Sequence, residues 1–289
     1  MTAALAVSGL GHRYQRGRWA LQDCSFDVPA GRVVALVGPN GSGKTTLLNI
    51  AAGLLRPTTG TAQVSGRPPA EQLARVGYVA QDAPLWPRLR VADVLEIGRC
   101  MNPRFDMQLA ETRLHGLDIA SRARIQTLSG GQRAQVALSL VLAKRPELLL
   151  LDEPLANLDP LARREFLTSM FALCADDGVA VLFSSHVIAE LERICDYLIV
   201  LRSGRVQVAG DIDELRAAHR TVTGPIAWPQ RSGVTVISET TTAGRTTALV
   251  RVDSGASIGP GLDEAQPTFD EIALGYLAVP QPALDEVPA

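Results

Sequence analysis

The sequence predicts an α/β protein. A parallel sheet is covered by helices on both faces, after a β-rich N-terminal subdomain and around a helical subdomain at about 86–130, with a short C-terminal α+β extension beyond. Three features carry that expectation. Apolar strand-like runs alternate with helical ones from residue 130 to 201, the pattern of a parallel sheet buried on both faces. A glycine-rich run, GPNGSGKTT, joins an apolar strand to a helix. After DIDELRAAHR the texture shifts to Thr, Gly and Pro.

In chain order, residues 3–10 and 20–37 read as β-rich, and a helix follows from Gly43 to about Ala52. RVGYVAQ ends as a strand in a polar loop, and VADVLEIGRCM and MQLAETRLHGL repeat apolar residues at helical spacing between 91 and about 121. Then come a helix at 130–144, the strand ELLLLDE, a helix at 160–174, the strand VAVLFSS, a helix at 186–194 and the strand YLIVL. The domain boundary is placed near residue 222, giving a first domain of 1–222 and an extension of 223–289. Strands are expected at 233–238 and 246–252, a small closing helix in PTFDEIALGYLA, and a mobile tail in the last ten residues.

A chain of 289 residues with a formal net charge of −2 offers no electrostatic reason to expect nucleic acid or anionic lipid as the main partner. Lys44 and Lys144 are the only lysines among 28 cations, so a lysine inside a glycine-rich loop stands out. Cys24, Cys100, Cys174 and Cys195 lie far apart and form no metal-ligand pattern, which fits a reducing, cytosolic setting. No basic, apolar leader opens the chain, and no apolar run reaches bilayer length, so a soluble protein is expected whose membrane role, if any, runs through a partner.

GPNGSGKT, Gly38 to Thr45, fits the P-loop pattern in the strand-to-helix context that makes it credible. Its glycines let successive N–H groups of Gly38, Pro39, Asn40, Gly41, Ser42, Gly43, Lys44, Thr45 and Thr46, proline excepted, turn toward phosphate oxygens. Lys44 supplies a cation for the β and γ phosphates, and Thr45 a hydroxyl for Mg2+. LLLLDEP delivers Asp152 to the rim of the sheet to orient the metal's water shell, with Glu153 beside it as the general base for the attacking water. A second anion site without a lysine opens another helix in TLSGGQRAQ, at Ser129, Gly130, Gly131 and Gln132. An ordinary N-cap by Ser129 explains the serine but not the two glycines and Gln132.

Together, P-loop, LSGGQ and LLLLDEP closely resemble the nucleotide-binding domain of ABC transporters, over about residues 3–219. The resemblance implies the P-loop NTPase, ABC-type ATPase fold. It also implies ATP and Mg2+ as ligands and head-to-tail pairing, in which the signature helix of one cassette closes on the ATP held by the other. It assigns Gln81 as the Q-loop glutamine that touches metal and water, and His186 as the switch histidine at the γ-phosphate. Tyr14 resembles the aromatic residue that stacks on adenine, and Asp159 matches the D-loop aspartate. Ala156 stands where the family often has serine. Eighty-five positions between Lys44 and Ser129 leave no room for the long coiled coil of chromosome-structure ATPases. The segments VAQDAPLWPRLRVADVL, MNPRFD and PLARREF are similar to ATPases of ABC-2-type exporters, and residues 223–289 to their C-terminal extension. The implied partners are transmembrane permease subunits and a second cassette, identical or not, with the chain peripheral on the inner face of the cell membrane. Two other classes are weighed: a soluble ABC ATPase that drives assembly or repair, and a non-hydrolysing regulatory module, against which Glu153 and His186 argue.

Overall fold

The computed structural model describes residues 3–15, 17–82, 84–156, 158–188, 191–225, 232–242, 244–259 and 261–278. The chain opens with β1 (Ala3–Arg13), β2 (Trp19–Pro29), β3 (Val33–Val37), α1 (Lys44–Ala51), β4 (Thr59–Val64) and β5 (Val76–Val79). The helical subdomain holds α2 (Val91–Met101) and α3 (Met107–Gly116) and leads into α4 (Gly130–Ala143). Then follow β6 (Leu148–Asp152), α5 (Pro160–Asp177), β7 (Ala180–Ser185), β8 (Tyr197–Arg202), β9 (Arg205–Asp211) and α6 (Ile212–Ala218). The extension is built from β10 (His219–Pro225), β11 (Val234–Thr242), β12 (Arg245–Val252), β13 (Asp263–Ala265) and α7 (Phe269–Ala278).

The central sheet has the order β5-β6-β7-β3-β8-β9, parallel except for the antiparallel β8–β9 pair. β3, β6 and β7 are buried at every position, because a strand covered on both faces has no side left for polar residues. One face, through Val34, Leu36, Leu148, Leu150 and Leu182, packs on α1 and on the antiparallel sheet β2-β1-β4. The other, through Ala35, Leu149, Leu151, Val181 and Phe183, packs on α4, α5 and α7. α4 serves two cores at once. Ala134, Ala137 and Leu138 join the sheet core, while Val136 and Ala143 join the helical subdomain's cluster with Val91, Leu95, Leu114 and Ile125.

The β-rich run at 20–37 resolves into two strands in different sheets, parted by a turn in which Gly31 takes φ 70°. Of the helix expected at 186–194, residues 191–194 are turn and residues 186–188 are not α-helical. β4, β9 and β13 had no clear signal, since their positions are mostly exposed or half-buried and lack an apolar run. β10 runs through residue 222, so the extension's sheet, ordered β11-β12-β10-β13, begins three residues before the expected boundary. The expected tail, 280–289, lies outside the described residues.

The extension is locked to the cassette by its own first residue. His219 is 1% exposed; its Nδ1 lies 2.7 Å from Leu215 O in α6 and its Nε2 2.8 Å from the Tyr276 hydroxyl in α7. Burial, with Arg251 opposite on β12, holds the imidazole below its usual value of 6.5. The folded state therefore prefers the neutral ring. This contribution to stability is complete above about pH 6.5 and is lost as the unfolded chain takes up its proton below that. Thermal unfolding of wild type should weaken between pH 7 and pH 5.5 more steeply than that of His219→Gln, which cannot charge there. Parallel pH profiles would remove His219 from the account.

Candidate functional site

Because β3, β7 and β6 are parallel and in register, with Val37 opposite Ser185 and Asp152 opposite Ser184, their C-terminal ends share one rim. At this rim the chain leaves β3 through the phosphate loop into α1. Gly43 caps that helix at φ 108°, and a Cβ there would stand 2.6 Å from Ala20 O, so only glycine fits. Beside the loop lies a cavity of about 580 Å3, lined by Tyr14, Asn40 through Thr46, Gln81 and Glu153. Gly38 and Pro39 contribute from behind: their carbonyl oxygens accept from Lys44 Nζ at 2.6 and 3.4 Å.

Lys44 and Glu153, 6% and 7% exposed, form an ion pair at 3.2 Å between Nζ and Oε1. The second carboxylate oxygen, Oε2, lies 2.7 Å from His186 Nδ1. A carboxylate oxygen accepts, so in this contact Nδ1 is the donor. Glu153 holds φ 48°, an unusual value for a residue with a side chain, and its N–H donates to Ser184 Oγ at 2.9 Å. Asp152, 1% exposed, accepts from the same hydroxyl at 2.9 Å. Nearby, burial and then the Asp152 charge push the Tyr78 phenol up to about 12. His186, Ser184 and Ala156, with Glu153, line a smaller cavity of about 60 Å3.

Thr45, Gln81 and Asp152, the expected metal residues, offer a hydroxyl, an amide and a carboxylate. Such all-oxygen donors with one acid suit Mg2+, which keeps waters and is completed by substrate phosphates. Among the described residues no three His, Cys, Asp or Glu converge, which speaks against a zinc-type site. Tyr14 is 47% exposed, its hydroxyl 3.1 Å from Thr46 Oγ1 and its ring edge-on to His12 at 4.7 Å, so one flank of the cavity is aromatic. Arg18 and Trp19 also line it, and sequence reading passed them over. The aromatic and basic residues of YQRGRW were the available signal. Lys144, the other lysine, is structural: its Nζ donates to Leu73 O and Val76 O at 3.0 and 2.8 Å.

The signature residues do not line the cavity. Ser129 caps α4 in a capping box: its Oγ accepts from Gln132 N at 3.1 Å, and Gln132 Oε1 accepts from Ser129 N at 3.0 Å. Gln132 is thus accounted for by helix capping, which corrects the expectation that an N-cap leaves it unexplained. Gly131 packs so closely on α5 that a Cβ would stand 2.8 Å from Ala162 Cβ, while Gly130 and Ser129 remain at the accessible helix start. Asp159 caps α5, accepting from Leu161 N and Ala162 N at 3.0 Å, and is likewise outside the cavity.

The family model for ABC transporters matches residues 21–156, and one for an AAA domain matches 124–192. An uncharacterised ABC transporter ATP-binding protein of Nostoc sp. is 32% identical over 240 residues, 76% of this chain and 70% of that one. The chain belongs to the ABC transporter ATP-binding proteins. The cassette is also 40% identical over 206 residues to the molybdenum import ATP-binding protein ModC of Rhodobacter capsulatus, covering 68% of this chain and 56% of that protein. Similarity to the Fe(3+) ions import ATP-binding protein FbpC of Pseudomonas fluorescens is 40% over 210 residues, 69% and 59% of the two chains. The chain thus spans a little over half the length of these two relatives. Among solved structures, an ATP-binding subunit of an ABC transporter superposes with a TM-score of 0.67 at 28% identity, covering 74% of this chain and 92% of that one. A bacterial Atm1-family ABC exporter with ATP bound gives 0.65 at 25%, covering 75% and 40%.

Both oxygens of Glu153 are engaged, and Lys44, which lines the cavity, is paired with that carboxylate. Phosphates entering the loop compete with that carboxylate for Lys44. Glu153→Gln removes the competing charge and should tighten ADP binding by about fivefold, equivalent to roughly 1 kcal/mol. ADP is not hydrolysed, so titration of a fluorescent ADP separates this effect from blocked turnover. Unchanged or weaker binding contradicts the competition.

Proposed function

We propose that the chain binds ATP with Mg2+ and hydrolyses it as one of two cassettes in an ABC transporter. The observation that carries this reading is the meeting of Lys44, Glu153 and His186 beside a cavity lined by the phosphate loop. Lys44 exchanges Glu153 for the β and γ phosphates, and the loop N–H groups and the α1 N-terminus share their charge. When bound, Mg2+ supplies charge neutralisation on the phosphates, held by Thr45 and Asp152, with Gln81 reaching it from the exposed loop after β5. Glu153 takes the proton from the attacking water, and His186, hydrogen-bonded to it, keeps the carboxylate aimed. Tyr14 receives the adenine.

Head-to-tail pairing is supported by the placement of Ser129 and Gly130. They stand at an accessible helix N-terminus outside their own chain's cavity, where N–H groups meet an anion without a lysine. In the pair, this end closes on the ATP of the second cassette, and Asp159 lies at the same junction. Transmembrane permease subunits are the further partners, which places the chain peripherally on the inner face of the cell membrane. No helix among the described residues is long and apolar enough to cross a membrane.

For direction we propose export, on the likeness of residues 79–95, 101–106 and 160–166 to ABC-2-type ATPases and on an extension closed by a helix, α7. The molybdenum and iron import ATPases share the cassette but are named for the opposite direction.

Glu153→Gln keeps the size of the side chain and removes the proton acceptor. With MgATP this variant should elute from size exclusion as a dimer that retains ATP, whereas wild type returns to monomer as it turns ATP over. Wild-type turnover by Glu153→Gln refutes the role given to Glu153.

A further inference from the structure

We propose that Ser184 is a positioning residue for hydrolysis, a single hydroxyl that sets both the metal-holding acid and the base. The inference rests on the ATPase reading above. Ser184 is fully buried in β7, and its Cα pairs with that of Asp152 across the parallel ladder. A hydroxyl has one hydrogen to give and two lone pairs to offer. Here the hydrogen goes to Asp152 Oδ1 and a lone pair accepts the Glu153 N–H, both at 2.9 Å.

Packing does not account for a polar group at this position. The preceding β7 residues, Ala180 to Phe183, are apolar and completely buried, and an alanine would fill the sheet interior as Ala180 does. What the hydroxyl adds is control of the two residues opposite. The donated bond is charge-assisted and fixes one oxygen of Asp152, leaving Oδ2 as the free one. The accepted bond takes up an N–H that has turned out of the strand, because Glu153 adopts φ 48° there. A residue with a side chain keeps that conformation only where its surroundings hold it. It is this turn that carries the Glu153 carboxylate to Lys44 and His186. Ser185 acts elsewhere, since its Oγ accepts from Val187 N at 2.9 Å and shapes the turn bearing His186. Without the Ser184 hydroxyl, a buried carboxylate oxygen and a buried N–H both lose their partner.

The test compares Ser184→Ala and Ser184→Thr with wild type, using a fluorescent ATP titrated in EDTA, then with Mg2+, and steady-state hydrolysis. Ser184→Ala should bind metal-free nucleotide at least as tightly as wild type, since the phosphate loop is untouched and a loosened Glu153 competes less for Lys44. It should need about tenfold more Mg2+ for the metal-dependent gain and lose about 10- to 100-fold in kcat, the range for partners that orient metal-binding groups. KM for ATP should change little. Ser184→Thr, which retains the hydroxyl, should recover most of the kcat and the Mg2+ response. Wild-type kcat and Mg2+ response in Ser184→Ala overturn the proposal. A parallel loss of metal-free affinity overturns it too, because it would mean general damage to the site, as does a threonine variant no better than alanine. If wild type hydrolyses no ATP, the ATPase reading fails by itself, while the Mg2+ titrations still report on Ser184.

Discussion

The parallel pairing of β6, β7 and β3 is the constraint on which the rest of the site depends. Val37 stands opposite Ser185, and Asp152 opposite Ser184, so three chain segments distant in sequence end at one rim. The phosphate loop leaves β3, Asp152 and Glu153 stand at the end of β6, and His186 follows β7. A shift of one residue in either pairing would turn the buried faces of these apolar strands and pull Glu153 from the 2.7 Å contact with His186. Burial on both faces of the sheet therefore stabilises the fold and fixes the spacing of the chemistry.

The motifs were legible in the sequence because each places a residue type that physics demands: glycine where φ is positive, lysine at a phosphate, acids at a strand end. The strands that carry them were legible too, as continuous apolar runs. What the sequence did not show depends on partners far along the chain. Gln132 pairs with Ser129 in a capping box, and serine with glutamine three residues on was the available sign. Ser184 is one of two adjacent serines before His186, and only the register with Asp152 separates their roles. β9 and β10 escaped because half-exposed positions blur the alternation that marks a strand. The turn at 191–194 carries apolar residues at helical spacing, yet Leu191 and Cys195 are drawn into the sheet core instead.

The extension is more closely bound to the cassette than its change of composition implies. Phe269, Ile272, Ala273 and Tyr276 of α7 belong to the same core as Phe183 and Leu198, and only Val222, Ala248, Val250 and Ile258 form a cluster of their own. α7 is therefore tied to the cassette through β8 and through His219, which bridges Leu215 of α6 and Tyr276. The helical subdomain is tied in the same way by α4, whose two faces serve two cores. The N-terminus of that helix is the end that meets the second nucleotide in the proposed pair.

In the proposed pair, each ATP is closed in by the phosphate loop of one chain and the signature helix of the other. Two variants test it most directly: Lys44→Ala, which weakens the phosphate loop, and Ser129→Arg, which blocks the signature helix. After wild type has been shown to occlude Mg2+-dependent ATP as a homodimer, neither variant alone should do so. A mixture should regain one working site per heterodimer, because one of its two sites unites both intact halves. Sites built within single chains would each keep their own defect, so a mixture that occludes no ATP would contradict the account.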